Sequence, residues 1–581
     1  MPKAHAEYLA FQKALVRRVA AEVRGELGHL GTRLRSYYLA YLRDVASYDR
    51  VASREELLSE VARARFVLGG DYHSFDQSKK THLRILRHEL KRRRAARAAA
   101  PIAIALECLQ SRHQEDLDRF MDGSLDDEGL LSRTRYRETW GFPFLPYREI
   151  LRFARENGLP AVAVNLGGRA SLSARDQHMA ERLAATAAAH PGALVYLVVG
   201  DWHLARGHLP RALAARAGSG DGTLLIFQNA ESIYWKLAAR KLEQTTDVVR
   251  IRPRAYCVVN ATPFVKLASY ALWTGHPREA EELARDGILA ALSARHARRG
   301  SKRSAPSRDD EADELSGEDG GGDLSDTLAL FVGAIARFFD LHAPIDFALV
   351  TSRDASLMEV LMRDLSWRGP DFLHEIAVYL YHRRCFYVPE IRTVYVGTPA
   401  VNQLGDVAAT YIYYTLSGAG PPPEEPRAGF YTRALRETVA FMGSKIINHK
   451  RPFQRRADYE RTIAESAGLT LLGVAKEREL VAKSYLRHRA LEKEFFARGR
   501  VPGPRLSVYR QRPVVRWGLT RGLGQALGHK LYEAMVTGAL GKDVLRELFL
   551  DPFREPLKRY MELVRRTREI RASVKVSEER M

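Results

Sequence analysis

The chain has 581 residues, 46% of them apolar and 28% charged, a length that calls for several structural units and a composition that excludes wholesale disorder. Its formal net charge of +21 would suit an acidic partner such as nucleic acid or an anionic membrane face. Arginine is spread through most predicted helices and no nucleic-acid motif accompanies it, so nucleic acid is not an expected partner.

Residues 1–52 read as a helical segment, with Leu9, Phe11, Leu15 and Val19 on one stripe and Tyr37, Tyr38, Tyr41 and Leu42 on another. From about Arg65 short apolar runs alternate with amphipathic helices, the signature of βαβ units and a parallel sheet. Strands are predicted at Phe66–Gly69, Ile102–Leu106, Ala161–Val164, Ala193–Val199, Leu224–Phe227 and within Val248–Val259. Between them lie a helix over Ser78–Arg94, with Leu83, Leu86 and Leu90 inward, one closed by Gly123, and one over Tyr147–Asn157 stopped by Gly158 and Pro160. Ser173 with Asp176 reads as a capping box for a helix ending at Ala189.

The α/β domain therefore spans residues 53–262, followed by a helical extension over 263–294. Residues 295–326, basic with Ser and Pro and then acidic with Gly, have nothing apolar to bury and read as a linker. Residues 327–581 are predicted to be predominantly helical. Cys108, Cys257 and Cys385 lie far apart without a C-x-x-C pairing, which argues against a disulfide framework, a zinc ribbon or covalent haem attachment. Nowhere do about 18 uncharged apolar residues run together, and Arg and Glu interrupt the N-terminus where a secretory signal would be apolar. A cytoplasmic protein with no transmembrane segment is the expectation.

Two stretches share an unusual pattern, Gly70-Asp71-Tyr72-His73 and Gly200-Asp201-Trp202-His203, each directly after an apolar strand. Glu107 and Asn165 follow two further strands. In an open parallel sheet the crevice outside the carboxyl ends of the strands takes the ligand, so these groups can converge from distant parts of the chain. A lone histidine after a strand is usually a structural hydrogen-bond partner; the inference belongs to the set. Imidazoles with carboxylates (His73, His203, Glu107, Asp71, Asp201) suit a divalent metal, and His73, Glu107 and His203 could equally act as general base and acid. The glycines are expected to permit tight turns.

The stretch Val67 to His73, then Ala105-Leu-Glu107 with Gln114, Leu117, Asp118, Phe120 and Gly123, resembles the ChaN-like family of haem-binding uptake proteins in the Tiki superfamily. So do Trp140-Gly-Phe-Pro-Phe-Leu-Pro-Tyr147, Ala154 to Pro160, Val162 to Asn165 and Gly200 to His203, and the resemblance covers roughly residues 55–260. It implies an α/β fold, a mostly parallel sheet with flanking helices, whose cleft is lined by His73, His203 and Glu107, in a bacterial protein of haem or iron uptake. ChaN-like relatives are lipoproteins, and other superfamily members are metal-dependent peptidases or erythromycin esterases. This chain lacks a lipoprotein signal, stretches the family's Asn-x-x-Arg to Asn165-Leu-Gly-Gly-Arg169, and has Asp after Gly where relatives often have Glu.

Haem would need an axial ligand, an apolar aromatic cleft and cations for its propionates; Tyr72, His73, Trp202 and His203 could supply the first two, and Arg169 or Arg206 the third. A metal-dependent hydrolase would use His73, Glu107 and His203 on water. A scaffold with a vestigial cleft is the third reading. Haem or another small molecule is thus the expected partner, and a homodimer is compatible with the sequence. Elsewhere, Gly518, Gly522, Gly524 and Gly528 lack the ending of a phosphate loop and read as helix packing. The basic stretch Lys445–Arg456 is expected to be a solvated helix end.

Overall fold

Six of the apolar runs become neighbouring parallel strands in the computed structural model. It describes residues 3–27, 32–96, 102–168, 170–217, 222–274, 324–351, 376, 379, 384–468, 470, 473–499, 502–503 and 506–569. The sheet contains β1 (Arg50–Ala52), β2 (Phe66–Asp71), β3 (Ile102–Gln110), β4 (Ala161–Asn165), β5 (Leu194–Gly200), β6 (Thr223–Gln228), β7 (Val248–Arg252) and β8 (Ala255–Val258). Their spatial order is β1-β7-β8-β6-β2-β5-β3-β4. Only β7 runs against its neighbours, pairing antiparallel with both β1 and β8.

Alternation along each strand divides the core into two layers. Val67, Ile104, Leu106, Tyr196, Val198 and Ile226 pack with the helices Arg54–Arg63 and Leu145–Glu156 on one face. Phe66, Leu68, Leu197, Val199 and Phe227 pack with Leu172–Ala189 and Leu209–Ala217 on the other. Because both faces are covered, β2 and β5 are buried at every position and read in sequence as continuous apolar runs.

Local chemistry corrects several expectations. Val248–Val259 is a hairpin of two strands, with Arg254 at a positive φ of 58° in its turn. Ser171, not Ser173, caps the helix Leu172–Ala189, its Oγ accepting from the Ala174 N–H at 3.2 Å, and this frees Asp176 to face inward. Glu107 lies inside β3, where the pairing register with β4 shifts between Leu106 and Gln110. Gly123, at φ 88°, does close its helix as a left-handed C-cap.

By compactness the described residues fall into two units, one within 16–273 and the other made of 3–15 with those from 274 to 569. The expected linker lies outside the described residues except at its end, where the helix Leu324–Phe338 begins. The second unit is predominantly helical, but it also holds a three-stranded sheet of β9 (Ala348–Thr351), β10 (Phe386–Val388) and β11 (Thr393–Val396) that periodicity did not suggest. Its central helix, Pro426–Ile447, is buried at nearly every position from Phe430 onward.

The basic stretch that follows is not a solvated helix end, since Lys445, His449, Lys450 and Arg451 are all buried. Arg451 forms a bidentate pair with Asp406, Lys445 donates to the Arg451 carbonyl at 3.0 Å, and Tyr8 hydroxyl meets His449 Nδ1 at 2.9 Å. Buried cations persist where fixed acceptors replace water, which composition does not reveal. All three cysteines are free and buried. Among the described residues no helix is long and apolar enough to cross a membrane.

Candidate functional site

The two Gly-Asp-aromatic-His stretches end up side by side because β5, late in sequence, inserts between β2 and β3. They are, however, out of step by one residue. Asp71 pairs with Gly200 rather than with Asp201. A shift of one residue exchanges the faces of a strand, so equivalent positions of the two copies have different surroundings.

In the first copy, Asp71 is buried and its Oδ2 receives His73 Nδ1 at 3.0 Å and the Tyr147 hydroxyl. Its Oδ1 takes Lys79 Nζ at 3.1 Å and the Ser78 hydroxyl. Burial alone would raise the Asp71 pKa; the Lys79 ammonium and the bond from His73 outweigh it and hold the carboxyl well below its ordinary value. An ionised Asp71 accepts only, so His73 keeps a proton on Nδ1, and Nε2 is the ring nitrogen turned away from Asp71. The His73 side chain is 22% exposed, with the Trp140 ring at 4.5 Å and the Phe142 ring at 5.0 Å between centroids. Phe142 in turn stacks on Trp273 at 4.3 Å.

His203 is a different group. Its side chain is 5% exposed, Nδ1 lies 2.6 Å from Asp176 Oδ1, and Nε2 lies 3.3 Å from Glu107 Oε1. Tyr37 from the N-terminal helices donates to Asp176 Oδ2 at 2.8 Å and approaches His203 Nδ1 at 2.9 Å. Burial would lower the His203 pKa, but Glu107 and the bond to Asp176 lift it to about 9. The two flanking carboxylates thus favour its protonated form. Glu107 accepts the Gly200 N–H at 2.6 Å on its other oxygen and lies 3.9 Å from His73 Nε2. Burial would raise its pKa, but His203 above all pulls it down to about 2.

The structure thus brings His73, Glu107 and His203 together, with Asp71 behind His73, and leaves the other expected residues elsewhere. Asp201 is buried against Lys266 Nζ at 2.8 Å and the Tyr41 hydroxyl at 3.5 Å. The same ammonium sits 4.8 Å over the Tyr72 ring. Trp202 leans on Tyr38 at 4.7 Å, and Arg206 is an exposed side chain bonded to Asp44 at 3.2 Å. Asn165 is buried at the end of β4, and Arg169 lies outside the described residues. No group of three or more His, Cys, Asp and Glu among the described residues is arranged to hold a metal ion.

The glycines serve close approach rather than turning. Neither Gly70 nor Gly200 has a positive φ, but a Cβ at Gly200 would stand 3.0 Å from His73 Nε2, and one at Gly70 would collide with Asp201. Residues that sequence reasoning missed include Lys79, Tyr37, Tyr147 and Asp176. A signal was present for two of them. Lys79 is four residues before Leu83, and Asp176 three before Met179, so each charged group falls on its helix's inward stripe.

A mostly parallel α/β sheet places a partly exposed histidine beside its strand ends, the region where open sheets of this class take ligands. Residues 57–171 match the family described as haem-binding uptake, Tiki superfamily, ChaN, in keeping with the resemblance read from the sequence. That segment holds β2, β3, β4, His73 and Glu107, and stops before His203. A solved structure described as cofacial heme binding to ChaN of Campylobacter jejuni matches at 14% identity, covering 31% of this chain and 86% of that one with a TM-score of 0.26. No curated protein matches the chain.

Proposed function

We propose that the α/β unit binds haem, with His73 Nε2 as the axial ligand, and serves in haem or iron handling. One observation carries the reading: a partly exposed imidazole whose Nδ1 is tied to a buried, ionised Asp71 and whose ring is flanked by Trp140 and Phe142. A carboxylate behind a ligating histidine fixes its tautomer and makes its free nitrogen more basic, while apolar rings suit a porphyrin face. The match of residues 57–171 to a haem-binding family supports it. When bound, haem would supply the iron chemistry. The chain's part is to hold and orient His73, through Asp71, Lys79 and Tyr147, and to shield one side of it with aromatic rings.

Within this reading His203 and Glu107 are a buried ion pair that shapes the wall of the cleft. Titration of the purified full-length protein with haem is expected to give a shifted Soret band, and His73→Ala to lose it or weaken affinity at least tenfold. An unchanged Soret position and affinity in His73→Ala would overturn the assignment.

A further inference from the structure

The helical unit contains a cavity of ≈ 370 Å³ that nothing in the haem reading uses. Its walls are two helix faces. Tyr485, Arg489, Glu492 and Lys493 come from the helix Gly473–Arg498, and His529, Lys530 and Glu533 from the helix Pro513–Val536. Phe453, Arg455, Arg456 and Arg568 also line it. The volume lies in the range of small-molecule sites.

Six cationic side chains and two carboxylates line the cavity; Arg456 is paired with Glu460 at 2.7 Å, and both lining carboxylates are engaged. Glu492 holds Arg489, accepts the Tyr560 hydroxyl at 2.8 Å and lies 3.2 Å from His488 Nδ1. Glu533 lies 3.1 Å from His529 Nε2. Lys530 is half-buried, and neither it nor Lys493 has a carboxylate within ion-pair distance among the described residues. Arg568 lies over the Phe496 ring at 4.7 Å. Burial and the nearby Arg489 guanidinium push the Lys530 ammonium below its ordinary pKa, against the opposing pull of Glu492 and Glu533. Converging cations on rigid helices in a concave site are how multiply charged phosphates are held, with arginine supplying a fork and lysine a point charge.

We propose that this cavity is a binding site for a small organic phosphate carrying two or more phosphoryl groups, with Lys530, Lys493 and Arg489 as its principal contacts. Its limited volume favours a small anion over a nucleic-acid strand, which would need an open groove. No residue of this site is used in the haem proposal.

The test is calorimetric titration of the full chain with inorganic pyrophosphate at fixed ionic strength, with citrate and a short single-stranded oligonucleotide as comparison ligands. Saturable pyrophosphate binding is expected, weakened at least tenfold in Lys530→Gln and in the exposed-site variant Lys493→Gln, and unchanged in Lys236→Gln on the other unit. Far-UV circular dichroism checks that the variants fold, and Lys493→Gln keeps the test open if Lys530→Gln does not. No binding, equal binding of citrate, binding of the oligonucleotide without competition by pyrophosphate, or unaltered affinity in the folded pocket variants would each overturn the proposal.

Discussion

His73 and His203 follow the same two-residue spacing from an aspartate, yet they are chemically opposite. His73 is partly exposed among aromatic rings, with Nδ1 on Asp71; His203 is buried between Asp176 and Glu107, which favour its cation. That difference sets a pH dependence. Glu107 has a folded pKa of about 2 against an ordinary 4.5, so its contribution to stability is present above pH 4.5 and is lost as pH falls through about 2. His203 is raised from 6.5 to about 9, so its contribution is present below pH 6.5 and is lost as pH rises through about 9. Thermal stability of the α/β unit should fall at both limits, and Glu107→Gln should shrink both effects because it removes the shared charge; melting curves from pH 2 to 10 would check this. Gly200→Ala should weaken haem binding with less effect on folding than His203→Ala, because its Cβ would crowd His73 Nε2 at 3.0 Å. Soret titration beside thermal melting separates the two.

At the level of elements, what the chain's local pattern could express was legible. β2, β4 and β6 announce themselves as apolar runs, the helix-stopping Gly123 and Gly158 act as C-terminal breaks, and the strand-end position of His73 follows from Gly70-Asp71-Tyr72. What was not legible depends on partners remote in sequence. The one-residue offset between the motif copies is a pairing register, and the loss of Asp201 to Lys266 follows from a helix that sequence alone cannot dock. The burial of Lys445 and Arg451 likewise depends on acceptors such as Asp406, far back in the chain. The glycine stripe was legible as packing. A Cβ at Gly528 would meet the Thr438 carbonyl at 2.7 Å, and one at Gly524 the Ala434 carbonyl at 2.7 Å. Gly528→Val should destabilise the helical unit by about 1–3 kcal/mol, the usual cost of overfilling a close helix contact, and chemical denaturation would measure it.

For the whole molecule, the separation into two compact units predicts that ligands act on one at a time. Haem at a hundredfold excess over its dissociation constant should stabilise the α/β unit by about 2.7 kcal/mol. Differential scanning calorimetry should then show one transition move and the other stay; a common shift of a single transition would mean the units unfold together. The net charge of +21 also acquires a location, since part of it is concentrated in a cavity of the helical unit while other arginines remain paired at the surface. The insertion of β5 between β2 and β3 has a bearing on biosynthesis. A chain emerging from the ribosome completes β2, β3 and β4 with a gap where β5 belongs, so His73 is made long before Gly200 and the Glu107–His203 pair can close the cleft around it. Non-local closure of this kind is slow and leaves strand edges bare in the meantime. The surroundings of His73 are therefore incomplete until β5 is made, and a nascent chain halted before residue 200 would carry His73 without Gly200 and His203 beside it.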